Sequence, residues 1–262
     1  MTKGKNILTA LCLMSGISMM GCVEEGRSPS QLQSSLEKLL QEKPEIVMEV
    51  LRKNSVNVLD IVQEGSKLKQ QQEMRAAWRE DLKTNKEMRL LGRPVLGSPD
   101  AKVHIVAYSD FTCHFCKQST KTIDAIRKEF GDKVNFTFKA LPLNENGPGV
   151  IAAAYFYGAA QQSEETAWKM YDMIFANSEK LLKDGENYLK ELAKELKLDM
   201  EKLDNDVHSK QTGDLINEDV QDAQRLGING TPHFFVNNVV VRGALPPDMF
   251  REAVNLALDN VK

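Results

Sequence analysis

The sequence predicts an α/β fold with an inserted helical subdomain, preceded by a separate helical region, and three stretches carry that reading. Residues 103–106 form an apolar, β-branched run, and after it a helical period begins at Ile123, Ile126 and Phe130. Far downstream, residues 234–236 and 239–241 are two short apolar runs around Asn237-Asn238, the pattern of a hairpin. Between these halves, residues 150–226 lack proline and are rich in Ala, Leu, Lys and Glu, which reads as successive helices.

At the start of the chain, Lys3 and Lys5 precede an apolar stretch over residues 7–20 that is short for a bilayer span and ends in small residues and a cysteine. This is the layout of a signal peptide over residues 1–21. Ser18-Met19-Met20-Gly21-Cys22 resembles the lipobox of bacterial lipoproteins, with Met19 where Leu is commonest, and that resemblance implies a lipid on Cys22 and a membrane anchor. A secretory peptide cleaved nearby, or an uncleaved anchor, is the alternative. Cys12 lies inside the segment to be removed. Export would place the protein in the periplasm or cell envelope, where disulfides form and persist. The formal charge of −3 becomes −5 once the two lysines are lost, and nothing suggests nucleic acid as a partner. With 42% hydrophobic residues in 262, the chain can bury a sizeable core and is not of disordered composition.

Residues 22–92 are predicted as a helical stalk of two or three helices, one of them long. From 30 to 91 the stretch holds one proline, Pro44, and one glycine, Gly65. Leu32, Leu36, Leu39 and Leu40 recur at helical spacing, Ile46, Val47, Val50 and Leu51 repeat the pattern, and Val58, Ile61, Val62 and Leu68 lead to Trp78 and Leu82. Pro44 suits a first helical turn. These stripes are narrow, and such a stripe must find a partner. A small hairpin alone buries little, so association between chains into a homo-oligomer is favoured over packing within one chain. The helices are expected to lie outside the fold of the domain that follows.

That domain is assigned to residues 93–262, with a helical insertion over about 149–226. A turn-rich linker over 93–100 opens it. Residues 134–140 alternate Val, Phe and Phe with polar residues and read as a second strand, followed by a loop over 144–149. Helices are predicted at 151–160, 166–177, 187–196, 200–226 and 249–258, with Ser163 and Asp199 as caps. Ala152, Tyr155, Trp168, Tyr171, Met173 and Phe175 are either helical core or the lining of a peptide groove, and core is the preferred reading.

The chemistry centres on Cys113-His114-Phe115-Cys116, where a buried strand should give way to a helix. Unpaired N–H groups and the positive dipole end of a helix stabilise an anion, and the thiolate is the form of cysteine that attacks disulfides. Two intervening residues set the sulfurs one turn apart, with Cys113 as the exposed nucleophile and Cys116 as the buried resolving thiol. A lone CxxC is also half of a zinc site, but no second CxxC and no His pair at ligand spacing accompany it. His104, His208 and His233 are scattered. Redox chemistry is therefore favoured, with no metal and no cofactor expected. A copper(I)-binding module using the same two sulfurs is one alternative, and a structural surface lipoprotein is the other.

Gly227-Ile-Asn-Gly230-Thr231-Pro232-His233-Phe-Phe-Val236 reads as a turn entering a strand. A strand, a CxxC helix and a distant Gly-Thr-Pro before a strand resemble the thioredoxin superfamily, and the long helical stretch narrows the likeness to DsbA-like thiol:disulfide oxidoreductases. The resemblance implies a thioredoxin-like fold, a cis Pro232, and Thr231 and Pro232 flanking the CxxC to present backbone to exported client proteins that carry thiols or disulfides. It also implies a membrane redox partner. Leu40-Gln-Glu-Lys-Pro44-Glu-Ile-Val47 resembles the start of the helical leader of ScsC-type relatives, in which several catalytic domains are held together. Two departures stand out. Ala107 replaces an acidic residue that helps move protons in many relatives, leaving Lys139 as the nearest charged candidate, and His114-Phe115 replaces Pro-His between the cysteines. His114 remains a candidate for tuning the Cys113 thiolate.

Overall fold

The computed structural model describes residues 29–261, and the chain divides into two units between Lys67 and Leu68. Cys12, Cys22 and the expected signal segment lie outside the described residues. In the first unit, α1 (Pro29–Glu42) and α2 (Pro44–Lys53) precede the start of α3 (Ser55–Asp81). Pro44 takes the first position of α2, where its missing N–H costs no helical bond. Neither α1 nor α2 buries a residue, and Leu32, Leu36, Leu39, Val47, Val50 and Leu51 are all exposed. The apolar stripes are thus helix faces left open to solvent.

The second unit is built on a five-stranded sheet ordered β1-β3-β2-β4-β5, from β1 (Val95–Gly97), β2 (Val103–Ser109), β3 (Val134–Ala140), β4 (His233–Val236) and β5 (Val239–Arg242). β2 and β3 run parallel with Ala107 opposite Phe138, and every other pairing is antiparallel. α4 (His114–Phe130) follows β2, and α11 (Pro247–Asp259) ends the described fold. The insertion between β3 and β4 comprises α5 (Pro148–Ala160), α6 (Glu164–Ala176), α7 (Ser178–Asp184), α8 (Glu186–Glu195), α9 (Met200–Val207) and α10 (Lys210–Arg225).

Successive strand residues serve opposite faces of the sheet. Val103, Ile105 and Ala107 join Ile123, Ile126, Phe250 and the insertion helices in the main core, whereas Val106 and Tyr108 pack with Ala223 of α10 and Phe235 in a smaller one. Coverage of both faces explains why β2 and β3 are buried along nearly their whole length.

Several boundaries differ from the sequence reading, each for a local reason. The expected helix over 200–226 is two helices: α9 ends at Val207 with His208 as its C-cap, and Ser209 caps α10 by accepting the Thr212 N–H at 3.1 Å. α7 was not anticipated, and β1 forms within the turn-rich linker by pairing with β3. Ser163 and Asp199 cap α6 and α9 as expected. The hairpin turns at Asn237, whose φ of +51° is a conformation asparagine tolerates, and its side chain accepts the His104 N–H at 2.8 Å.

The end of the helical leader is the main correction. Residues from Leu68 onward belong to the second unit, and Trp78 of α3 is buried in its core. The Trp78 indole donates to the Val240 carbonyl at 2.8 Å, while Asp81 accepts the Val240 N–H at 3.1 Å. Arg75 adds a two-pronged bond to Glu252 at 2.6 and 2.8 Å. The outward N–H and carbonyl of Val240, on the edge strand β5, are thereby satisfied by α3 side chains, which covers part of an otherwise open edge. Distance along the sequence gave no hint of this return.

Candidate active site

Phe111 fixes where the cysteines lie. It is fully buried two residues before Cys113, its ring centroid 4.9 Å from both Phe138 and Phe175, so the end of β2 is anchored in the aromatic core of the insertion. The chain then turns and enters α4 with Cys113 at the N-cap, in extended backbone geometry. Its sulfur accepts the Cys116 N–H at 3.4 Å, doing with sulfur what a serine oxygen does at other helix starts.

Both cysteines are free, and they differ in exposure: Cys113 is half-buried, whereas Cys116 is 1% exposed. The Cys113 thiol donates to the Thr231 carbonyl at 3.6 Å, which brings the second motif to the first, and the Thr231–Pro232 peptide is cis. Hydrogen bonding with Cys116 outweighs burial and, together with bonds from Thr231 and from the backbone N–H groups of Cys116 and Phe115, lowers the Cys113 pKa to about 5. The Thr231 hydroxyl has no other partner and is free to donate to the thiolate. For Cys116 burial and the bond with Cys113 act the other way and push its thiol well above the ordinary range, despite bonds from Asp110 and Ser109. A two-unit gap between pH and pKa leaves a group roughly 99% ionised, so Cys113 is thiolate at neutral pH and Cys116 is not.

The other sequence candidates fall in definite places. The His114 ring hydrogen-bonds Gln118 at 2.9 Å, one turn along α4, and meets the Phe115 ring edge-on. Ala107 is buried with no charge beside it in the strand. Lys139 is fully buried on the sheet face that α10 covers, its ammonium 2.5 Å from Asp222 and 3.4 Å from Asp219. It is therefore a buried, ion-paired charge. Of the residues weighed as groove or core, Ala152, Tyr155, Trp168, Tyr171 and Phe175 are buried and belong to the core, while Met173 is partly buried against it.

Three residues near the cysteines were not singled out from sequence. Phe115, between the two cysteines, is 58% exposed, and Leu143, whose N–H bonds Asp110, is 61% exposed. Asp110 is buried, its carboxylate accepting the Thr112 N–H and hydroxyl and the Leu143 N–H. An apolar residue between two cysteines and an aspartate three positions before the first were the available signals. Among the described residues no three His, Cys, Asp or Glu side chains converge as a metal site, and no helix is long and apolar enough to cross a membrane.

A family model described as thioredoxin matches residues 89–256. The Na(+)/H(+) antiporter NhaA 1 of Mycobacterium sp. (strain KMS) is 35% identical over 147 residues, 55% of this chain but 23% of that protein. The chain thus spans about a quarter of the length of the antiporters it matches. A probable disulfide bond formation protein D of Bacillus cereus is 30% identical over 154 residues, 54% of this chain and 68% of that one. Proteus mirabilis ScsC, in a transitional conformation, has a similar fold, with a TM-score of 0.58 at 18% identity over 88% of this chain and 97% of that structure.

Proposed function

The chain belongs to the thioredoxin family, and from that premise we propose that it is an exported, DsbA-like thiol:disulfide oxidoreductase that forms or rearranges disulfides in client proteins through Cys113 and Cys116. The observation that carries the proposal is the asymmetry of the pair: one half-buried sulfur with a pKa of about 5 beside Thr231, and one buried sulfur held as a thiol.

In the oxidising direction a client thiolate attacks the Cys113 sulfur of the Cys113–Cys116 disulfide. The disulfide breaks, its electron pair leaves on Cys116, and a mixed disulfide joins client to Cys113. A second client thiolate then attacks the client's own sulfur in that bond, releasing an oxidised client and the Cys113 thiolate. The protein has gained the two electrons, which a membrane redox partner would remove. In the isomerising direction the Cys113 thiolate attacks a client disulfide, forming a mixed disulfide and freeing one client thiolate; a different client thiolate attacks the client's sulfur in that bond, closing a new disulfide and returning the Cys113 thiolate, and Cys116 resolves complexes that stall by displacing the client reduced. A stabilised thiolate is a good leaving group and favours the dithiol form, so the site is poised to oxidise.

Thr231 and Pro232 would offer backbone to the client and the exposed Phe115 an apolar contact, whereas His114, whose ring engages Gln118, is not among the groups that lower the Cys113 pKa. Cys22 would carry the lipid that tethers the protein in the periplasm or cell envelope. The uncovered faces of α1 and α2 would associate between copies, holding several CxxC sites around shared clients, an arrangement suited to isomerisation.

Light scattering on the mature chain, with and without residues 24–67, which leaves α3 from Leu68 onward in place, combined with assays on scrambled ribonuclease and on a reduced dithiol peptide, tests this reading. An oligomer that unscrambles ribonuclease supports the isomerase form. A monomer that only oxidises peptide removes it, and a protein inert to both substrates, with Cys113→Ala no different, removes the oxidoreductase.

A further inference from the structure

Asp110 bonds both cysteines through its backbone and the flanking loops through its carboxylate, yet it carries no part of the thiol chemistry. Its carbonyl accepts the Cys113 N–H at 3.0 Å, and its backbone hydrogen-bonds the Cys116 sulfur. Its carboxylate reaches past the cysteines. One oxygen accepts the Thr112 N–H at 2.8 Å and the Thr112 hydroxyl at 2.9 Å, which closes the turn leading into α4. The other accepts the Leu143 N–H at 2.8 Å, in the loop that leads from β3 to the insertion.

The start of α5 presses on the same carboxylate. Gly149 is buried there, in ordinary helical backbone, and a Cβ built on it would run into the Asp110 carboxylate. Alanine normally favours a helix over glycine, so the absence of a side chain here has a packing reason. A buried carboxylate without its hydrogen bonds is costly, and these three donors, all from backbone or a neighbouring hydroxyl, fix where it lies.

We propose that Asp110 is a positioning residue, which holds the Cys113–Cys116 turn at the mouth of α4 and keys it to the start of α5 through Thr112, Leu143 and Gly149. The nucleophile's geometry is thereby set in part from the insertion. This rests on the oxidoreductase reading, but it concerns the turn itself. Its shape decides whether the Cys116 N–H and Thr231 reach the Cys113 sulfur.

The test is the ultraviolet thiolate titration of the full-length reduced protein, which reads Cys113 whether or not any client is turned over and so separates failure of this inference from failure of the function. Asp110→Ala removes all three acceptor contacts and is expected to raise the Cys113 midpoint by about one pH unit, a roughly tenfold loss of thiolate stabilisation. Asp110→Asn keeps an oxygen for Thr112 and is expected to restore most of it. Gly149→Ala, which touches neither cysteine, is expected to raise the midpoint in the same direction. Folded Asp110→Ala and Gly149→Ala proteins that titrate with the wild type would overturn the inference, as would an Asn variant that titrates with the Ala variant. Should Asp110→Ala fail to fold, Gly149→Ala and Thr112→Val decide by the same criterion.

Discussion

The Cys113 sulfur lies 3.6 Å from the carbonyl oxygen of Thr231, a residue 118 positions further along the chain. That approach puts the Thr231 hydroxyl, otherwise unpartnered, beside a thiolate it can stabilise. With the hydrogen bond from Cys116 as the larger cause and Thr231 adding to it, Cys113 should titrate with a midpoint of about 5, far below an ordinary thiol, with thiolate present above that pH and lost below it. Thr231→Val keeps the carbonyl and removes the hydroxyl. It is expected to raise the midpoint by about one unit, roughly 1.4 kcal/mol against the anion. Alkylation rates of reduced protein across the pH range measure both; a variant that titrates with the wild type would remove Thr231 from the tuning.

Cys116 is buried and held as a thiol, so it attacks only a sulfur already bonded to Cys113. Cys116→Ala should leave the first attack intact and abolish resolution. Incubated with a peptide disulfide, that variant is expected to accumulate a covalent complex visible by mass under non-reducing conditions, whereas Cys113→Ala forms none.

The positions of the CxxC pair and the Gly-Thr-Pro turn are legible because their signals are local: a CxxC between a strand and a helix, and a proline at a strand entrance. So were β2, β3 and the β4–β5 hairpin, whose residue patterns match their burial. What sequence hid was long-range pairing. Trp78 reads as one apolar residue in a charged helix until Val240 appears beside its indole. Lys139 reads as a charged candidate for moving protons until α10 returns with Asp219 and Asp222 to pair it. Periodicity shows which face of an element is apolar, but not which distant polar group will meet it.

His233 gives a pH signature of its own. It follows Pro232 on β4, and burial, with Arg242 nearby and Asp81 opposing, lowers its pKa to about 4 from an ordinary 6.5. Between these values the unfolded chain binds a proton that the native protein does not. Stability should then fall as pH drops from 6.5 towards 4. The Cys113 thiolate adds a fall in the same direction across an overlapping range, so the measurement belongs in a Cys113→Ala, Cys116→Ala background. Urea unfolding there at several pH values, with and without His233→Asn, should show a shallower slope in the Asn variant; equal slopes would mean that His233 protonates freely in the native state.

The buried charges around Lys139 carry the last prediction. The Lys139 ammonium meets Asp222 at 2.5 Å and Asp219 at 3.4 Å. Arg93 pairs with Asp219 at 2.9 Å, Arg225 with Asp222 at 2.5 Å, and Tyr157 donates to Asp219. Burial opposes charge on Asp222, but hydrogen bonds from Lys139, Tyr108 and Arg225 more than offset it and hold this carboxyl below the usual range. Its contribution to stability is full above the ordinary carboxylate pKa and is lost as pH falls through the lowered one. Lys139→Met removes one cation and leaves two carboxylates short of a partner, at a cost of about 3 kcal/mol, less than for a wholly unpaired charge because both arginines remain. Adding Asp222→Asn should recover part of that loss, since the stranded charge goes with it, and a double-mutant cycle in urea measures the coupling. Because the cluster lies on the sheet face covered by α10, the Cys113 midpoint should not move in Lys139→Met. A shift there of about one unit would instead make Lys139 part of the proton route that Ala107 leaves vacant.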